Sequence, residues 1–268
     1  MNGKVVIITG GSSGLGKALA EVFGSRGSKI LITGRNKEEL FKAVDELSKK
    51  GITVTGFQAD VSKEEDNRLM AKEAIAKYGT IDILINNAGI SMRALFDEVD
   101  LDVVKKVMDI NFYGVLYATK YCLPEIKKNN GSVIGISSIA GYRGLPGRTG
   151  YSASKFALNG FLEVLRTELL KTGVHVLTAC PGFTASNIRI KSLTKDGTSQ
   201  GESPRDEGKM MTAEECALHI YNATVKRKNS LILTTQGKLA VFINKWLPRL
   251  ADKLVYNVMA KEANAPIK

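Results

Sequence analysis

The chain has 268 residues, 44% of them hydrophobic and 24% charged, with 26 glycines, 6 prolines and 3 cysteines. Those fractions exclude a disordered, collagenous or disulfide-stapled chain and suit one domain of about 250 residues, and no run of about 20 apolar residues is present to span a bilayer. The net charge of +11 is concentrated late, with nine basic against two acidic residues over 226–268, and no aromatic residues interleave a basic stripe, which excludes a nucleic-acid partner.

Met1-Asn2-Gly3-Lys4 leads directly into a short apolar run, too short for a secretory signal. From there β-branched runs alternate with helical periods. Strands are expected over 5–9, 29–33, 53–58, 82–86, 132–137, 175–179 and 230–233. Helices are expected over 14–26, 37–50, 63–78, 103–128 and 152–171. The strands are near-continuously apolar, as strands covered by helices on both faces must be. Right-handed crossovers then predict an α/β fold, a doubly wound parallel sheet of seven strands in a single domain over 1–235. Residues 186–209 interrupt the rhythm with a polar, Gly/Ser/Thr/Lys-rich insertion expected to act as a lid over the substrate. Residues 236–268 form a basic extension. Within it, Leu239, Phe242, Ile243, Trp246, Leu247, Leu250, Leu254, Val255 and Val258 recur at helical spacing, opposite Lys245, Arg249 and Lys253. Pro248 can open the second of two short amphipathic helices.

The residues suited to chemistry lie at the C-terminal ends of the strands. Thr9-Gly10-Gly11-Ser12-Ser13-Gly14-Leu15-Gly16 joins the first strand to the first helix. Glycine lets a pyrophosphate approach the backbone, and bare N–H groups at a helix start attract it. The second strand ends in Thr33-Gly34-Arg35. An acidic residue there would bond the ribose hydroxyls of NAD; its absence, with the fork of Arg35 at hand, predicts NADP through its 2′-phosphate. Tyr151 and Lys155 are four apart on one helical face, where an ammonium is expected to lower the phenol pKa toward the working range. Ser138 can donate to a carbonyl oxygen as charge develops on it. Cys122, Cys180 and Cys216 are scattered and have no metal-ligand spacing, so reduced thiols and no metal are expected.

The ordered set, with Asn86-Asn87-Ala88-Gly89 and Asn111 added, resembles the short-chain dehydrogenase/reductase superfamily in its form of about 250 residues, over residues 4–233. The resemblance implies a Rossmann fold and a catalytic tetrad of Asn111, Ser138, Tyr151 and Lys155. It implies cofactor contacts from Gly10, Ser12, Ser13, Gly14, Leu15, Gly16 and Arg35. Further contacts are implied from Asp60 and Val61 at the adenine, from Asn87, Ala88 and Gly89, from Tyr151 and Lys155 at the ribose, and from Pro181, Gly182 and Thr184 beside the nicotinamide. Asn111 would order a water leading from Lys155 to solvent. The implied reaction is ketone–alcohol interconversion by hydride transfer with NADP(H).

The substrate pocket is expected to draw on Ile90, Met92, Leu95, Ile139, Tyr142, Leu145 and Phe183, an apolar lining, with Arg93, Arg143 and Arg148 nearby. The long insertion and the hydrophobic, basic extension resemble those of family members that act on lipophilic ketones, which implies a lipophilic or acyl-type carbonyl substrate. The competing readings are a non-catalytic NADP sensor, which would have lost Tyr151 or Lys155, and a membrane-surface module resting on the basic tail alone. A cytoplasmic homodimer or homotetramer is expected. Its tail is expected to border the substrate entrance, with its apolar stripe buried against the domain or a second subunit or, weakly and reversibly, against a membrane surface.

Overall fold

The computed structural model describes residues 1–182, 184, 188–206, 208 and 210–267. Seven strands, β1 (Val5–Ile8), β2 (Lys29–Gly34), β3 (Val54–Gln58), β4 (Ile83–Asn86), β5 (Ser132–Ile136), β6 (His175–Cys180) and β7 (Ser230–Ile232), form one sheet in the order β3-β2-β1-β4-β5-β6-β7. Every neighbouring pair is parallel, and the strands fall within a residue of their predicted ends. Side chains alternate across the sheet, so successive apolar residues feed two separate cores. Val6, Ile8, Ile30, Ile32, Ile83 and Ile85 pack on one side, beneath α1 (Gly14–Gly24) and α2 (Lys37–Lys49). Ile7, Leu31, Leu84, Val133 and Val176 pack on the other, beneath α3 (Glu64–Tyr78).

The expected helix over 103–128 is three pieces: α4 (Leu101–Met108), a π-helical turn at Asp109–Tyr113, and α5 (Gly114–Lys128). The wider turn is where Asn111 leaves the helix surface and is wholly buried. Helix α6 (Thr149–Glu168) begins three residues before its predicted start at 152, so Tyr151 and Lys155 lie in its first two turns. Helix α7 (Ala213–Val225) was not among the expected elements. Its sequence signature is a capping box, in which Thr212 accepts from the Glu215 N–H and the Glu215 carboxylate accepts from the Thr212 N–H.

The extension is two helices, α8 (Thr235–Trp246) and α9 (Pro248–Ala260), with Pro248 in the first turn of the second. It folds back over the C-terminal ends of the strands. Asn244 Nδ2 donates to the Tyr142 carbonyl at 2.8 Å, and Arg143 pairs with Asp252. Beyond α9, Glu262 is held by three arginines from three separate segments: Arg205 at 2.8 Å, Arg148 at 3.0 Å and Arg93 at 3.5 Å. The described part of the 186–209 insertion docks on the segment after β4. There the Arg93 N–H donates to the Leu193 carbonyl at 2.7 Å and the Leu193 N–H to the Ser91 carbonyl at 2.9 Å. Among the described residues, no helix is long and apolar enough to cross a membrane.

Candidate active site

In an open doubly wound sheet, the crevice forms where strand order reverses, outside the carboxyl ends of the strands. Here β1 is flanked by β2 on one side and β4 on the other, and a cavity of about 1220 Å³ opens at that point. Pockets for small molecules typically hold about 300–1,000 Å³, so this one has room for a dinucleotide and a second molecule. Gly10, Ser12, Ser13, Gly14, Leu15 and Gly16 line one end of it. Gly10 and Gly14 have φ of +66° and +51°, a region glycine enters without strain. A Cβ on Gly16 would lie 2.2 Å from the Gly10 carbonyl oxygen, so the turn closes only with glycine there. The loop is pinned to β4 by Thr9, whose hydroxyl accepts from the N–H groups of Asn87 and Ala88 at 3.0 Å each, while Asn87 Nδ2 donates back to the Thr9 carbonyl at 2.9 Å. This bare-backbone cradle fits a pyrophosphate.

Arg35, Asp60, Val61, Asn87, Ala88, Gly89, Pro181, Gly182 and Thr184 also line the cavity. The Asp60 carboxylate is engaged by Ser62, accepting from its N–H at 3.0 Å and its hydroxyl at 2.7 Å. No acidic residue stands at the end of β2, although Glu39, in the first turn of α2, also faces the cavity.

Ser138, Tyr151 and Lys155 meet on the same cavity. Ser138 follows β5 and is held by the Ala140 N–H donating to its Oγ at 3.1 Å. Lys155 is buried and donates from Nζ to the Ile136 carbonyl at 2.8 Å, with Nζ 5.8 Å from the Tyr151 ring centre. Burial pushes the Lys155 ammonium down to about 8. The expected lowering of the Tyr151 phenol is reversed. Burial raises it above its usual value, and the opposing pulls come from the Ser138 hydrogen bond and the charges of Arg148 and Arg189. Sequence spacing showed the lysine beside the tyrosine but not the desolvation they share.

Asn111 does not line the cavity; it braces the wall behind it. Its Oδ1 accepts from the Ile90 N–H at 2.8 Å, and Nδ2 donates to the Ile90 carbonyl at 2.9 Å and to Ser154 Oγ at 3.0 Å. Ser154 in turn donates to the Tyr151 carbonyl at 2.8 Å. Gly89 lies against this brace, since a Cβ there would come 3.2 Å from Asn111 Oδ1 and 3.7 Å from Lys155 Nζ.

Of the expected substrate wall, Ile90, Ile139, Leu145, Arg143 and Arg148 reach the cavity. Met92 is instead packed in a small core with Val103 and Val107. Phe183 lies outside the described residues, as do Ser186, Asn187, Glu207 and Lys209 of the insertion. Charged side chains that the sequence did not point to include Arg189, Lys191 and Arg205 from the insertion, and Glu262 beyond α9. The insertion was legible only as a polar stretch, and which of its charges turn inward depends on how it docks. Among the described residues, no cluster of side chains could hold a metal ion.

Residues 4–197 match a family profile described as short chain dehydrogenase. The mouse protein "Dehydrogenase/reductase SDR family member 7B" is 35% identical over 265 residues, which cover 97% of this chain and 81% of that one. "Dehydrogenase/reductase SDR family protein 7-like" of Drosophila melanogaster is 33% identical over 267 residues, covering 97% of this chain and 81% of that one. Among solved structures, a short chain dehydrogenase/reductase from Burkholderia phymatum in complex with NAD superposes with a TM-score of 0.83 at 23% identity, covering 93% and 95% of the two chains. An alcohol dehydrogenase from Thermococcus sibiricus complexed with 5-hydroxy-NADP does so with a TM-score of 0.74 at 22% identity, covering 85% and 93%. At those identities the structures share the fold.

Proposed function

The chain belongs to the short chain dehydrogenase family of oxidoreductases, and from that premise we propose that it interconverts a lipophilic ketone and its secondary alcohol with NADP(H). The observation that carries the reading is the meeting of Ser138, Tyr151 and Lys155 on the cavity that also bears the Gly10–Gly16 cradle. When bound, the nicotinamide supplies or accepts the hydride.

The protein's own groups handle the proton and the developing charge. Tyr151 donates its phenolic proton to the carbonyl oxygen in reduction and takes one back in oxidation. The Ser138 hydroxyl donates a hydrogen bond to the same oxygen, stabilising negative charge as it builds. The Lys155 ammonium would hold the ribose of a bound cofactor, and it offsets the phenolate that forms when Tyr151 gives up its proton. Asn111, through Ile90 and Ser154, keeps the first turn of α6 and the Gly89 segment in register. Gly10, Ser12–Gly16, Asp60, Val61, Asn87–Gly89, Pro181, Gly182 and Thr184 are assigned to the cofactor, with Arg35 at the 2′-phosphate. Glu39, which shares the cavity lining with Arg35, favours NAD instead, since a carboxylate can bond ribose hydroxyls.

Residues 1–235 form the catalytic unit in this reading, and 236–268 an extension closing the substrate end of the cavity. All three cysteines are free and buried, which fits a reducing compartment and a cytoplasmic location. Assembly as a homodimer or homotetramer belongs to the same proposal, with light scattering of the full chain as its check.

The test is oxidation of NADPH and of NADH against a panel of carbonyl compounds, for the wild type and Tyr151→Phe. Turnover that disappears in the variant, while cofactor affinity stays near the wild-type value, is the expected result. A variant with near-normal turnover rejects the acid–base role, and a wild type inert toward the whole panel favours a cofactor sensor.

A further inference from the structure

The helices α8 and α9 have two faces with different surroundings. Ile243, Ala251, Val255 and Met259 line the cavity, and the hairpin is locked there by the pairs Asp252–Arg143 and Glu262 with Arg93, Arg148 and Arg205. Phe242, Trp246, Leu247 and Leu250 do not line the cavity and are each more than 40% exposed, with Trp246 the most exposed at 63%. Exposed apolar side chains gathered on one hairpin of a folded protein mark a contact site.

The charges say what it contacts. Residues 236–267 hold two acids, Asp252 and Glu262, and both are turned to arginines of the domain body. The five cations Lys238, Lys245, Arg249, Lys253 and Lys261 are exposed. Lys245 Nζ lies 5.5 Å from the centre of the Trp246 ring, which places a cation at the edge of the apolar patch. A second copy of the hairpin is a poor occupant, because a two-fold contact would set these cations against themselves. An anionic bilayer surface satisfies both features: the apolar side chains enter the boundary of head groups and acyl chains, and the lysines and arginine meet the lipid charge.

We propose that the outer face of α8–α9 docks on the surface of an anionic phospholipid bilayer, so that the wall of the substrate cavity is also the membrane-facing element. The docking does not depend on catalysis. Its failure would leave the oxidoreductase reading intact, and an inert enzyme could still bind vesicles.

Trp246 is the single tryptophan of the chain, so intrinsic fluorescence of the full-length protein reports on the patch without labelling. Titration with vesicles of phosphatidylcholine mixed with phosphatidylserine is expected to shift its emission to the blue. The protein should float with those vesicles, and added salt should reverse both effects. Phosphatidylcholine alone should do neither. Each cation near such a surface contributes about fivefold in partitioning, so Lys245→Gln with Lys253→Gln should weaken binding roughly 30-fold. The melting temperature and turnover of a water-soluble carbonyl should be unchanged in that double variant. No shift with any vesicle, equal shifts with neutral and anionic vesicles, or unaltered binding by the double variant would each overturn the proposal. So would a blue shift that grows with protein concentration alone and accompanies a rise in mass by light scattering, because the patch would then be covered by a second copy.

Discussion

At the scale of single residues, Lys155 illustrates a conflict between function and folding. Its ammonium is needed beside Tyr151, yet burial brings it down to about 8 from 10.5. Between those values the unfolded chain binds the proton and the folded one does not, so this group's contribution to stability rises with pH. Below about pH 8 the fold carries the full cost of the buried charge, on the order of 3 kcal/mol. Lys155→Met is therefore expected to be inactive, and more stable relative to wild type near neutral pH than at about pH 10. Thermal unfolding of both proteins at the two pH values checks this, and a gap that does not narrow contradicts it. Arg35 makes a separate prediction. Arg35→Ala should weaken NADPH by about 1–3 kcal/mol, as for a lost charge-assisted contact, and NADH little. Titration of both cofactors decides it. Equal losses would remove Arg35 from the 2′-phosphate, and a preference for NADH would point to Glu39.

At the scale of elements, the π-helical turn between α4 and α5 contributes most to the site. A π turn inserts one residue into a helix and recurs at functional positions. Here it turns Asn111 inward, where the amide replaces the partners missing from the Ile90 backbone. Asn111→Leu would leave the Ile90 N–H and carbonyl without those bonds, at about 1–3 kcal/mol for each unsatisfied group. The expected outcome is a lower urea midpoint and a fall in kcat larger than any change in cofactor affinity, because the variant shifts the turn bearing Tyr151. Urea unfolding with steady-state kinetics checks both. A loss of stability with kcat unaltered would leave Asn111 a purely structural residue. The apolar periodicity over 103–128 predicts one continuous helix, since the π turn at Asp109–Tyr113 is too short to interrupt an apolar pattern read across the whole stretch.

At the scale of the molecule, Glu262 is one of the ties that hold the extension to the domain body, beside Asp252–Arg143 and Asn244–Tyr142. Burial raises its carboxyl, but Arg148 and Arg205 outweigh burial and hold it below the usual 4.5. The contribution of a carboxylate lowered in this way is present above 4.5 and is lost as pH falls through the lower folded value. Acid should therefore detach the extension before the sheet unfolds. Glu262→Gln should loosen it at neutral pH by on the order of 3–5 kcal/mol, because it leaves three arginines without their common anion. Limited proteolysis is the check: the variant should be cut within α8–α9 while the rest of the chain resists. Cleavage no faster than wild type would mean that the apolar inner face alone holds the hairpin.

The order of strands and helices, the glycine cradle, and the placing of Tyr151 and Lys155 on one helical face all follow from periodicity and spacing, because each is a property of a few neighbouring residues. The two amphipathic helices of the extension are local in the same sense, down to Pro248 at the start of the second. What lies across the chain was decided by tertiary structure. Desolvation of Tyr151 depends on everything packed around it, so the sign of its pKa shift was invisible in a spacing of four. The inward turn of Asn111 needed Ile90, and the clasp on Glu262 needed arginines from positions 93, 148 and 205. Those contacts join segments far apart in sequence, and no local pattern encodes which charges will meet once the sheet is built.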